Sequence, residues 1–171
     1  MSPYLPIVCF VVTLTFFCSE SLLAKSKQDP INPKEVLAKA DIENGKSIFE
    51  KGAPLVGAHL PFQGGPHWLR SQGGSCSTCH GPKGLGNIEP DFCFLTTPPI
   101  SYKYLAGSGY PFNARQDGSH PAYTELTLKR LLETGYKPNG IEVDYCMPRW
   151  RLSDKIFNDL LGYLISLDES R

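Results

Sequence analysis

Apolar positions recur at helical spacing toward both ends of this chain and lose that order between them. Near the C-terminus, Ile156, Phe157, Leu160, Leu161, Leu164 and Ile165 follow i, i+1, i+4, i+5, i+8, i+9, the stripe of a helix with one buried side. Ser153 opens that helix and Asp154 lies in its first turn, where the helix dipole favours negative charge. A second helix is predicted over residues 124–134, with Thr124 as cap and Tyr123 and Leu128 as a hydrophobic staple. Gly135 stops it, and Leu126, Leu128, Leu131 and Leu132 are expected to form its buried side. Nearer the N-terminus Asp41 caps a helix whose Ile42, Gly45 and Phe49 share a face, ended by Gly52 and Pro54. A glycine inside a helix costs about 1 kcal/mol against Ala, so a second helix crossing close to Gly45 is expected.

Residues 52–122 differ in kind, holding 12 of the 16 glycines and 9 of the 15 prolines. That is the composition of a flexible linker. Interleaved aromatics (Phe62, Trp68, Phe92, Phe94, Tyr102, Tyr104, Tyr110 and Phe112) argue instead for ordered coil wrapped on something apolar. No strand pattern and no internal repeat is evident, so the expected fold class is all-α, with three to four main helices and long Gly/Pro-rich loops.

Within this loop-rich part stands Cys76-Ser77-Thr78-Cys79-His80. Two thiols three residues apart with an imidazole after the second form the attachment signature of covalent heme c. Cys76 and Cys79 would add across the vinyl groups as thioethers, and His80 would lie beneath the iron as its proximal ligand. A zinc site needs a second ligand pair at similar spacing, and neither Cys93 nor Cys146 sits in one. A redox dithiol wants a strand before the motif and a long helix after it; Gly73-Gly74 and Gly81-Pro82-Lys83-Gly84 stand there instead.

Residues 5–18 are apolar without a charge, the length of a signal-peptide core and short for a membrane span. No Lys or Arg precedes them. Cleavage is expected near Ala24, with a retained anchor as the alternative, and Phe17 is too large for lipoprotein processing at Cys18. The domain reading is a signal segment over 1–24, a linker over 25–40 and one domain over 41–171. Loss of 1–24 removes Glu20 and no basic residue, so 17 basic against 16 acidic groups leave about +1. Such balance points to neither nucleic acid nor an anionic membrane face, and membrane association is expected only if the N-terminal segment is retained.

From Asp41 to Leu167 the chain resembles a single-heme class I cytochrome c. The resemblance rests on the heme motif with Gly81, the Gly45/Phe49 face, and the closing run from Met147-Pro148-Arg149-Trp150 through Leu152-Ser153-Asp154 to Leu160-Leu161-Gly162-Tyr163-Leu164. It implies a crossing of first and last helices at Gly45, Phe49 and Tyr163, and Met147 as second axial ligand. It departs from compact members in the long stretch over 53–75 and in Cys93 and Cys146. The histidines His59, His67 and His120 are rival ligands, each otherwise expected at the surface or beside a propionate. Cys93 and Cys146 remain after heme attachment and are expected to pair in an oxidising compartment, the alternative being two buried free thiols. Arg149, Trp150, Arg70 and Trp68 are candidate propionate donors.

These readings lead to an exported, periplasmic electron carrier rather than an enzyme, passing one electron with both axial positions filled. The resemblance implies a quinol-oxidising complex or periplasmic dehydrogenase as donor and a terminal oxidase or reductase as acceptor. The alternatives are a heme sensor or small peroxidase-like enzyme with a displaceable Met147, or a fixed electron-entry subunit of a larger redox complex.

Overall fold

The computed structural model describes residues 29–93, 95–107 and 120–169. The signal segment over 1–24 therefore lies outside the described residues, as do Phe94, Tyr110 and Phe112. The fold is mostly α: α1 (Pro33–Leu37), α2 (Ile42–Lys51), a 3-10 helix (His67–Gln72), α3 (Cys76–His80), α4 (Tyr102–Leu105), α5 (Glu125–Thr134) and α6 (Asp154–Glu169). No helix among the described residues is long and apolar enough to cross a membrane.

The helix ends are made by the side chains that local chemistry calls for. Asp41 accepts from the Asn44 N–H, and Gly52 closes α2 at φ 67°, in the left-handed region. Thr124 and Thr127 form a reciprocal capping box on α5, and Gly135 closes it at φ 85°. The Ser153 hydroxyl accepts from the Ile156 N–H at 3.3 Å, at the start of α6.

The core forms where α6 crosses α2, with α5 packed alongside. A side chain at Gly45 would run into the Asp159 carbonyl, so the helices approach backbone to backbone there, and one at Gly162 would run into the Ala40 side chain just before α2. Phe49 and Tyr163 meet beside the crossing with ring centroids 5.3 Å apart. Asp159 lies fully buried in this seam. It accepts from the Asp41 N–H at 2.9 Å, the Asn44 amide at 2.7 Å and the Lys155 ammonium at 2.8 Å. Burial pushes its carboxyl up, but those bonds and the Lys155 charge outweigh burial and hold it below the ordinary carboxylate value.

Four expectations are corrected. Leu126 is exposed, because at 100° per residue it points away from the face shared by Leu128, Leu131 and Leu132. Phe92 is 64% exposed and has no apolar cover of the kind its neighbours have. The part of the presumed linker from Ile31 to Val36 packs on the domain, both residues being buried in the core. A short antiparallel ladder also exists, β1 (Phe62–Gln63) against β2 (Arg149–Trp150), with Phe62 opposite Trp150.

Candidate metal centre

Helix α3 begins at Cys76 and ends at His80, so one turn and a half carries both thiols and the imidazole. Gly81 follows at φ 77°, turning the chain away, and His80 is buried. The next loop folds back beneath it. Gly86 N–H donates to the His80 carbonyl at 2.9 Å, Asn87 N–H donates to the Thr97 carbonyl at 2.8 Å, and Thr97 N–H donates to the Ile88 carbonyl at 2.8 Å. The Thr97 hydroxyl then donates to the Cys79 carbonyl at 2.8 Å.

This loop delivers Pro98 to the imidazole. His80 Nδ1 lies 2.8 Å from the Pro98 carbonyl, which can only accept, so Nδ1 carries the proton and Nε2 is left with its lone pair. That is the tautomer an iron ligand requires, with the second nitrogen fixed by a carbonyl. Burial lowers the His80 pKa and so favours the uncharged ring, and the Pro98 bond opposes it in part. Loss of solvent pushes the Cys76 thiol up to about 12, helped by its neighbour Cys79, and burial raises Cys79 as well. Neither is an activated thiolate of the redox-dithiol kind.

Beside Cys76 lies a small apolar gap of about 10 Å³, lined by Ile48, Leu60, Leu132, Trp150, Leu152 and Leu160. Cys76 and Met147 pack against the same apolar cluster from opposite ends of the sequence. No group of three or more His, Cys, Asp or Glu side chains among the described residues could hold a bare metal ion. Two thiols, one buried imidazole with its Nδ1 on a carbonyl, and a half-buried thioether are instead donors of the kinds that attach and ligate a porphyrin.

The rival histidines fall elsewhere. His59 and His67 are exposed, the latter facing Phe92 with ring centroids 6.0 Å apart. His120 is buried, against expectation, because its ring packs on Tyr123 at 4.7 Å and its Nδ1 meets the Pro121 carbonyl. Two of the propionate candidates are engaged in the loops. Trp68 donates to the Asp91 carbonyl at 3.1 Å, and Arg149 donates to the Val143 carbonyl at 3.1 Å and to that of Met147. Arg70 lies over the Phe62 ring, 6.0 Å from its centroid, and Trp150 packs against the same ring.

Cys93 and Cys146 are joined by a disulfide, their Cα atoms 5.8 Å apart. The bond ties the loop after the heme motif to the residue before Met147. Tyr145 reinforces it, donating its hydroxyl to the Phe92 carbonyl at 3.2 Å while its own carbonyl accepts from the Gly65 N–H at 2.9 Å. The stretch over 53–75 thus has a structural task, one wall of the enclosure around the Met147 loop. Pro98, Thr97 and Asp159 were not anticipated. Pro98-Pro99 offered a signal, since neither residue has an N–H and the carbonyls remain to accept. Comparison with protein-family models, with curated proteins and with solved structures finds no match for this chain.

Proposed function

We propose that this protein is an exported single-heme electron carrier of the class I cytochrome c type. The thioethers would form at Cys76 and Cys79, with His80 and Met147 as axial ligands. The observation that carries the reading is the His80–Pro98 bond: the motif's imidazole is buried and its Nδ1 is held by a carbonyl, which leaves Nε2 to ligate. Bound heme supplies a one-electron ferric/ferrous couple, and a thioether opposite an imidazole favours the ferrous state and raises the potential.

The chain's own residues supply the rest. Pro98 sets the imidazole's orientation, and the disulfide at Cys146 would restrain the backbone of the neighbouring Met147. With both axial positions filled there is no open site for substrate, so the protein moves electrons and does no bond chemistry. Its donor would be a quinol-oxidising complex or a periplasmic dehydrogenase, and its acceptor a terminal oxidase or reductase. Denaturing electrophoresis with heme-peroxidase staining tests the reading. Colour should stay with the polypeptide and vanish when Cys76 and Cys79 are both replaced by Ser. Colour that persists in that variant overturns it.

A further inference from the structure

We propose that Arg149 is a positioning residue that holds Met147 for axial ligation; this rests on the heme reading above and extends it. A methionine side chain is unbranched and its thioether is a weak donor, so its backbone must be held if the sulfur is to stay on the metal. Residues 142–148 are only partly held by burial: Cys146 and Pro148 are buried and Val143 and Met147 half-buried against the core, while Glu142 and Tyr145 are exposed and Asp144 half-buried, so hydrogen bonds must fix the rest of the backbone.

The Arg149 guanidinium spans this loop. One nitrogen donates to the Met147 carbonyl and the other to the Val143 carbonyl at 3.1 Å, so a single rigid fork joins the two sides of the loop. Beneath the fork lies Gly135, where any side chain would run into the guanidinium. The Val143 N–H donates to the Gly135 carbonyl at 2.9 Å, which anchors the loop on the end of α5. From the outside Glu142 faces Arg149 at 3.8 Å. Met147 is then held on both sides, its N–H by the Asp144 carbonyl at 3.1 Å and its own carbonyl by Arg149. Arg149 itself is set by β2, where it stands opposite Gln63. A lysine has the charge but no fork, and reaches one carbonyl at a time.

The test compares the wild-type chain with Arg149→Lys, Arg149→Ala and, as reference, Met147→Ala. Amide exchange followed by mass spectrometry reads loop order without reference to heme. Carbon monoxide binding to the reduced protein and the reduction potential read ligation. Arg149→Ala should raise exchange over 142–148 by roughly tenfold or more, as loss of two charge-assisted bonds implies. It should leave α2 and α6 protected, and carbon monoxide binding and potential should move toward those of Met147→Ala. Arg149→Lys should fall between. If Arg149→Ala does not fold, Arg149→Lys decides: exchange, ligand binding and potential like those of wild type would overturn the proposal. So would loosened exchange with unchanged ligation. A wild-type chain without covalent heme would sink the heme reading and the axial role together, whereas unchanged exchange beside intact heme sinks Arg149 alone.

Discussion

The crossing of α2 and α6 and the enclosure around Met147 are held together by different physics. At the crossing, Gly45 lets backbones touch, apolar rings fill the flanks, and the polar element is a single carboxylate with all its partners supplied. Around Met147 burial is partial, Val143 and Met147 resting half-buried on the edge of the core. Order comes from point ties between loops: one disulfide, one guanidinium fork, a tyrosine hydroxyl and a two-residue ladder. Burial acts over area and survives the loss of any one contact in part. Point ties act singly, so each is a place where the loops can be released while the helices stand.

Removing the disulfide should have the largest effect and is the strongest test of that contrast. Cys93→Ser with Cys146→Ser opens a closure of 53 residues, and the chain-entropy model assigns it about 4 kcal/mol. Urea unfolding reads the total. Amide exchange should show residues 88–93 and 142–148 loosening ahead of α2 and α6; simultaneous loss of protection would erase the distinction between the two regions. Gly45→Val breaks the other side. Its new carbon would press on the Asp159 carbonyl and the Tyr163 side chain, and overpacking of this kind costs about 3 kcal/mol. The Cys93–Cys146 bond should still be found by non-reducing peptide mapping in the folded fraction, and its absence would mean that the loops depend on the crossing.

Asp159→Asn is the finer test, worth about 2 kcal/mol near neutral pH because a donor replaces an acceptor facing Asp41, Asn44 and Lys155. Its pH dependence follows from the lowered carboxyl pKa. The unfolded chain takes up the proton first as pH falls, so the stabilisation is full above the ordinary carboxylate range and is lost below it. Denaturant melts at about pH 7 and about pH 3 should show the wild-type advantage shrinking at the lower value. A difference independent of pH would remove the charge from the account.

The same contrast governs what could be read from the residues alone. Caps and stops are local chemistry, and Asp41, Gly52, Thr124 and Gly135 stand where their side chains or φ angles demand. Gly45 announced a close helix by its cost. Asp159 did not announce itself, since its partners at Asp41 and Asn44 lie 118 and 115 residues away and a charged residue beside an apolar stripe reads as surface. A two-residue strand has no periodicity to detect, which is why Phe62–Gln63 and Arg149–Trp150 passed as coil. The Cys76–His80 motif stood out in the sequence because its residues are contiguous, and the structure sets them on one short helix. Pro98 did not stand out, being joined to His80 only through the fold.

The placement of these closures along the chain also sets a timetable. Asp41 waits for Asp159, Pro61 for Arg151, Gly65 for Tyr145 and Cys93 for Cys146. A chain that emerges from its N-terminus first can complete neither the helix crossing nor the loop enclosure until its last quarter has arrived. Through that interval the segment that carries Cys76 and Cys79 lacks the partners that residues 145–160 supply. Topology thus makes the surroundings of these two thiols among the later parts of the fold to be completed.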